Sequence, residues 1–91
     1  MREAVIVSTA RTPIGKAYRG SFNNTHAQTL AGHSISEAVK RAKVEPCDID
    51  DVVLGAAAQQ GTQQGNIARQ SLLRAGLPTS VAGMSIDRQC A

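Results

Sequence analysis

Residues 84–91 read Met-Ser-Ile-Asp-Arg-Gln-Cys-Ala, and this stretch decides how the rest of the chain is interpreted. Met84 and Ile86 alternate with polar residues, and an apolar/polar period of two predicts a half-buried strand. In α/β proteins the chemistry sits at the carboxyl ends of such strands, which is where Cys90 falls. A helix after Cys90 would stabilise a thiolate through its free N–H groups and its dipole. The stretch therefore predicts a nucleophilic cysteine at the edge of a sheet.

Two apolar runs further upstream predict two more strands. Residues 4–7 (Ala-Val-Ile-Val) and 52–58 (Val-Val-Leu-Gly-Ala-Ala-Ala) contain no polar side chain, which is typical of strands covered on both faces. The loop at residues 59–65 matches neither the dinucleotide-binding glycine pattern nor the P-loop. Gly15 and Lys16 are only a fragment of the Walker pattern, so a structural turn is the favoured interpretation there.

Two stretches with helical spacing separate the predicted strands. The first begins with a capping box, Thr25 as N-cap and Gln28 three residues later, and continues as a narrow stripe of mostly small residues suited to packing on a sheet. The second begins at Asn66 as N-cap and ends before Gly76. The stripe of the first helix consists of Ala27, Leu30, Ala31, Ser34, Ile35, Ala38, Val39 and Ala42. The order predicts an α/β fold, a βαβαβ unit with a mostly parallel central sheet and covering helices.

Length and composition limit the possible function classes. The chain has 91 residues, a net charge of +3 and only two aromatic residues, Tyr18 and Phe22, so a core must be built from aliphatic side chains. No dense Lys/Arg cluster is present, which disfavours nucleic-acid binding. No stretch is long enough to cross a bilayer, and no export signal is recognisable. We therefore expect a cytoplasmic protein in which Cys47 and Cys90 stay reduced.

Four other side chains could take part in chemistry or binding, but a structural role or a surface position explains most of them. His26 and His33 lie two turns apart on the polar side of the first helix, where exposed histidines are favoured over metal ligands, and no metal site is predicted. Cys47 is interpreted as a buried or idle thiol. Arg69 lies in the first turn of the second helix, where its charge opposes the helix dipole. For Arg69 a contact with a partner or site and a plain surface position remain equally open.

Three motifs stand out along the chain: residues 5–15 (Val-Ile-Val-Ser-Thr-Ala-Arg-Thr-Pro-Ile-Gly), residues 65–70 (Gly-Asn-Ile-Ala-Arg-Gln) and residues 87–90 (Asp-Arg-Gln-Cys). All three resemble motifs of thiolases, the acyl-CoA C-acetyltransferases. The similarity extends over the whole chain in the right order and spacing. It implies that residues 1–91 are the N-terminal part of a thiolase N-terminal domain, in a family whose chains are several times longer.

The resemblance also implies a chemical role for Cys90. In the family the matching cysteine takes the acyl group of a 3-ketoacyl-CoA as a thioester and passes it to coenzyme A, or carries an acetyl group for condensation with a second acetyl-CoA. It implies acyl-CoA and coenzyme A as substrates, no permanently bound cofactor, a homodimer or homotetramer, and a place in fatty acid metabolism. The family's activating histidine and second cysteine would lie beyond Ala91, so these 91 residues alone are expected to be inactive.

Two positions depart from the family pattern. The family more often has Asn where Asp87 stands and Gly where Ala91 stands. A carboxylate that pointed at Cys90 would oppose thiolate formation. Strand alternation places Arg88, not Asp87, on the face of the cysteine, so we expect little harm. Ala91 would alter a tight turn but keeps a small side chain.

Two other functions compete with an acyltransferase. One is a non-catalytic protein of thiolase fold that acts as a lipid carrier or interaction module. The other is a relative that uses a strand-end cysteine for condensation but accepts substrates on acyl-carrier protein. The motif Arg11-Thr12-Pro13 disfavours the second alternative, because it belongs to the thiolase pattern.

Overall fold

A computed structural model describes residues 1–90 and contains two helices and a two-stranded parallel sheet. The elements in chain order are α1 (Ala27–Ala42), β1 (Asp51–Ala56), α2 (Ile67–Arg74) and β2 (Ala82–Asp87), with short 3₁₀ turns at Pro46–Asp48 and Gly61–Gln63. The strands pair from Asp51 opposite Ala82 to Ala56 opposite Asp87. Helix α2 is the crossover between them, and the α/β class and the parallel pairing are confirmed.

The strand predicted at residues 4–7 is not formed. Val5, Ile6 and Val7 are 70% to 87% exposed, and no strand within residues 1–90 pairs with this run. The segment instead follows α1, where Ser8 Oγ donates to the Ala38 carbonyl at 2.7 Å and Arg41 Nη1 donates to the Thr9 carbonyl at 3.0 Å. The prediction was wrong because an apolar run becomes a strand only when a neighbouring edge satisfies its backbone groups.

Helix α1 begins one residue later than its capping box predicted. His26 is the N-cap, without a side-chain capping bond, so the assignment of Thr25 was wrong. Gln28 does not close the box, because its amide donates elsewhere, to the Thr62 carbonyl at 3.0 Å and to Gln70 Oε1 at 2.6 Å. Distant partners therefore displaced the local capping arrangement.

Helix α2 begins and ends where the sequence places its caps. Asn66 accepts a hydrogen bond from the Arg69 N–H at 3.2 Å. At the other end Gly76 has a φ of 86°, and the Leu77 N–H donates to the Leu72 carbonyl at 3.0 Å. This is a Schellman motif, in which a left-handed glycine lets the chain turn back and satisfy the last carbonyls.

The core lies mainly between the two helices. Leu72, Leu77 and Val81 form its buried centre, and the partly buried residues around it are Ile35, Val39, Ile49, Val52 and Ala75. The predicted α1 stripe is half-buried, but α1 packs chiefly on α2 and not on the sheet. The buried residue of α1 is Gly32, which the stripe omitted. Within residues 1–90, no helix is long and apolar enough to cross a membrane.

The sheet is covered on one face only. Val52 packs against the core, whereas Val53 and Met84 on the opposite face are 55% and 49% exposed. Coverage of both faces of the second apolar run was therefore a wrong prediction. On β2 the helix faces Gly83, where a Cβ would lie 2.8 Å from the Arg69 nitrogen. Because α2 approaches this closely, the small and polar face of β2 is the covered one, and its apolar face is open.

Candidate active site at the carboxyl edge of the sheet

Cys90 lies three residues beyond the end of β2, and its thiol is free and exposed. The Arg88 N–H donates to the Ala56 carbonyl at 3.0 Å, which carries the parallel pairing one residue past the strand. Cys90 itself has a φ of 48°, in the left-handed region that few residues other than glycine adopt. The predicted place of this cysteine near the carboxyl edge of the sheet is confirmed, but the strand ends at Asp87 and does not run into Cys90 as predicted.

The residues before Cys90 are tied to the loop that follows β1. Gln89 Nε2 donates to the Ala57 carbonyl at 2.8 Å, and Gln59 Nε2 donates to Asp87 Oδ1 at 3.0 Å. The sequence interpretation missed both glutamines. A usable signal was present, because parallel strands bring the residues after their carboxyl ends together at one edge.

Arg88 and Asp87 leave the chain on opposite faces, as alternation predicts. The stem of Arg88 lies over Gly55 on the open face, so closely that a Cβ on Gly55 would be 2.8 Å from the Arg88 Cβ. The left-handed φ of Cys90 breaks the period of two, so alternation alone does not set the direction of the thiol. Ala91, the second departure from the family pattern, lies outside the described residues.

A second polar group fixes β2 against the start of α2. Asn66 Nδ2 donates to the Gly83 carbonyl at 3.0 Å, and Ser85 Oγ donates to Asn66 Oδ1 at 2.8 Å. The same Ser85 oxygen accepts from the Ala68 N–H at 2.9 Å. Asn66 adopts this place with a φ of 57°, a conformation that asparagine tolerates better than most residues. The strand that leads to Cys90 is thereby held at its middle.

Two side chains of α2 hold the segments on either side of the helix. Arg69 Nη1 donates to the Val81 carbonyl at 2.5 Å, so it ties the helix to the start of β2. Neither interpretation left open for Arg69 describes this internal contact. Gln70 Nε2 donates to the Gly65 carbonyl at 2.6 Å, and Gln70 Oε1 accepts from Gln28 Nε2 on α1. The loop after β1 is therefore fastened to both helices.

The remaining predicted residues lie away from this arrangement of bonds. His26 and His33 are exposed, as predicted, and no side-chain hydrogen bond within residues 1–90 joins either of them to the Cys90 segment. Cys47, interpreted as a buried or idle thiol, lies in the 3₁₀ turn and is exposed, so the buried alternative was wrong and the idle one stays a prediction. Both cysteines are free thiols, as expected.

Comparison with known proteins bears on the whole of this chain. Residues 4–91 match the protein family described as "Thiolase, N-terminal domain". The chain belongs to the thiolase family. The expected family is confirmed, and the expected fold class agrees with this membership.

Known thiolases are similar to the chain along almost its entire length. A 3-ketoacyl-CoA thiolase of Saccharophagus degradans is 41% identical over 90 residues, which cover 98% of this chain and 23% of the relative. A 3-ketoacyl-CoA thiolase of Bacillus subtilis is also 41% identical, over 99% of this chain and 23% of the relative. The 3-oxoadipyl-CoA/3-oxo-5,6-dehydrosuberyl-CoA thiolase of Escherichia coli is 44% identical, over 99% and 22%. The chain thus spans less than a quarter of the length of these relatives.

The structure brings two of the three thiolase motifs to the same strand. Asn66 of the second motif holds the middle of β2, and the third motif, residues 87–90, follows from the end of β2. The first motif, residues 5–15, contacts α1 through Ser8 and Thr9. Two of the three motifs therefore meet at β2 and at the segment that follows it.

Proposed function

We propose that this thiolase is an acyl-CoA C-acyltransferase that carries the acyl group on Cys90. The observation that supports this most is an exposed cysteine in a left-handed conformation, three residues after the end of a parallel strand, in a chain of the thiolase family. Backbone outliers of this kind concentrate at active sites. The names of two relatives, both 3-ketoacyl-CoA thiolases, support the substrate class.

The proposed reaction uses the sulfur of Cys90 as nucleophile and then as leaving group. The thiolate attacks the C3 carbonyl of a 3-ketoacyl-CoA, the C2–C3 bond breaks, and C2 takes the electron pair and a proton to leave as acetyl-CoA. The thiolate of coenzyme A then attacks the acyl-Cys90 thioester, and the Cys90 sulfur leaves with the electron pair. A thiolate suits both steps because it is a strong nucleophile and a good leaving group. In reverse, acetyl-Cys90 condenses with a second acetyl-CoA.

The setting of the enzyme is part of the same proposal. Two free, exposed cysteines are consistent with the reducing cytoplasm. A homodimer or homotetramer is supported by the open apolar face of the sheet, where Val53 and Met84 are about half exposed. Acyl-CoA and coenzyme A act as substrates, without a permanently bound cofactor, and 3-ketoacyl-CoA cleavage belongs to fatty acid metabolism. No residue of the chain is assigned to coenzyme A.

The test is to trap the acyl-enzyme in the full-length protein. After incubation with acetyl-CoA, mass spectrometry of the peptides should find an acetyl group on Cys90. Cys90→Ser should abolish both the adduct and thiolysis, whereas Cys47→Ser is the matched control and should leave both unchanged. Iodoacetamide should label Cys90 in preference to Cys47.

Three results would count against this function. Equal labelling of the two thiols would contradict an activated Cys90, and an adduct on Cys47 would contradict the assignment of the nucleophile. A protein that binds acyl-CoA without any adduct would be the non-catalytic carrier. The 91-residue chain by itself is expected to show no turnover, because no base within residues 1–90 is assigned to Cys90.

A further inference from the structure

We propose that Gln89 and Gln59 are positioning residues for Cys90. The side chains of these two glutamines continue the strand pairing beyond the end of the sheet. The proposal rests on the acyl-transfer function proposed above. Both side-chain amides bridge the gap between the end of β2 and the loop after β1. One bond ends at residue 87 and the other begins at residue 89, so the two lie on either side of Arg88.

The first tie begins where the backbone pairing ends. The strands pair as far as Ala56 opposite Asp87, and the Arg88 N–H still reaches the Ala56 carbonyl. At the next residue the side chain of Gln89 takes over and donates to the Ala57 carbonyl at 2.8 Å. Because a glutamine side chain is longer than a backbone N–H, the main chain can diverge from β1 here while it stays attached.

The second tie acts on the other side of Arg88. Gln59 Nε2 donates to Asp87 Oδ1 at 3.0 Å. A carboxylate only accepts hydrogen bonds, so the Gln59 amide must be the donor in this contact. Hydrogen bonds to a charged acceptor are also stronger than those between neutral groups. With residues 87 and 89 both tied, the two bonds restrain rotation of the segment between them. Cys90 is then the first residue beyond both ties.

The conformation of Cys90 explains why such bracing is needed. Its φ of 48° lies in a sparsely populated region, which persists only when the surrounding structure enforces it. Gln59, Asp87 and Gln89 are all exposed, so they bury no core and contribute little to global stability. Their contribution is to the placement of the sulfur, and acyl transfer is sensitive to small displacements of the reacting group.

The experiment replaces each amide with a side chain of similar length that cannot donate. In the full-length protein, Gln89→Met and Gln59→Met should each lower kcat about tenfold, while KM for acetyl-CoA changes less than about twofold. Gln60→Met is the matched control, because Gln60 is exposed in the same loop and its side chain makes no hydrogen bond within residues 1–90. Its kcat should not change.

Substitutions of the acceptor separate positioning from a general loss of structure. Asp87→Asn keeps an oxygen that accepts from Gln59, so kcat should stay within about twofold of the native value. Asp87→Leu removes the acceptor and should give the same loss as Gln59→Met. If residue 87 acted only through its charge, Asp87→Asn would lose as much kcat as Asp87→Leu.

Amide hydrogen exchange provides a readout that does not depend on activity. The Arg88 N–H should exchange about five times faster in Gln89→Met and Gln59→Met than in the native protein. In Gln60→Met its exchange rate should equal that of the native protein. Equal exchange in all variants overturns the bracing, and equal kcat overturns the positioning role even if exchange rises. A native protein that takes up no acetyl group overturns the proposed function itself and this role with it, whereas native acetylation with unaffected variants overturns this role alone.

Discussion

Asn66 tests whether the frame around β2 depends on polar contacts, because it combines an unusual backbone conformation with three side-chain hydrogen bonds. Replacement by alanine should cost about 1 kcal/mol for the left-handed φ, about 1 kcal/mol for the lost N-cap and about 1 kcal/mol for the lost bridge to Gly83 and Ser85. The sum of roughly 3 kcal/mol is a large fraction of the stability of a small domain, which begins at about 5 kcal/mol.

Asn66→Gly separates the backbone part of this cost from the side-chain part. Glycine adopts a positive φ freely and is tolerated at an N-cap, so Asn66→Gly should cost only about 1 to 1.5 kcal/mol. Urea denaturation of the chain, followed by far-ultraviolet circular dichroism, measures both variants. With a slope of about 1 kcal/mol per molar urea, the midpoints should fall by about 3 M for alanine and about half as much for glycine. Asn24→Ala, at an exposed asparagine, is the control and should shift little.

The relative stability of Asn66→Ala and Asn66→Gly decides whether this reasoning is correct. If Asn66→Gly were no more stable than Asn66→Ala, the left-handed conformation would contribute nothing and the assigned strain would be wrong. If both variants unfolded within about 0.5 kcal/mol of the native chain, the hydrogen bonds to Gly83 and Ser85 could not be what holds β2 against α2.

Two further predictions concern packing. Leu72→Ala, at a fully buried position, should lower the free energy of unfolding by about 3 kcal/mol, whereas Leu73→Ala, next to it but 44% exposed, should lower it by about 0.5 kcal/mol; equal losses in urea denaturation would contradict the assigned core. Gly83→Ala should lower the free energy of unfolding by about 2 kcal/mol, because the new methyl group meets the backbone of α2. Thermal unfolding measures this loss, and an unchanged midpoint would show that α2 lies further from β2.

The parts of the fold that the sequence predicts well are those with local causes. The cap at Asn66 and the end of α2 at Gly76 each depend on residues within about one helical turn, so the residue type alone is a sufficient signal. The strand at residues 4–7 and the cap at Thr25 failed for the opposite reason. A strand needs a partner edge, and Gln28 found partners on the far side of the chain, neither of which a local pattern reveals.

The candidate site divides in the same way. The place of Cys90 follows from a general rule about parallel strands, and the period of two predicted its strand. The ties from Gln59 and Gln89 join residues 28 and 32 positions apart, so they depend on the register between β1 and β2. Nothing in the glutamines themselves distinguishes them from Gln60 or Gln64. Only the pairing of Ala56 with Asp87 selects the two that reach across.

The way α2 meets β2 explains why polar contacts hold the strand that leads to Cys90. A half-buried strand is expected to bury its apolar face, that of Met84 and Ile86, yet α2 packs on the face that presents Gly83 and Ser85. A glycine permits the close approach, and a serine at this distance can bond to Asn66, which an aliphatic side chain could not do. Hydrogen bonds fix both direction and distance. A strand held by directional bonds at its middle and again beyond its end is therefore restrained in its rotation as well as in its position.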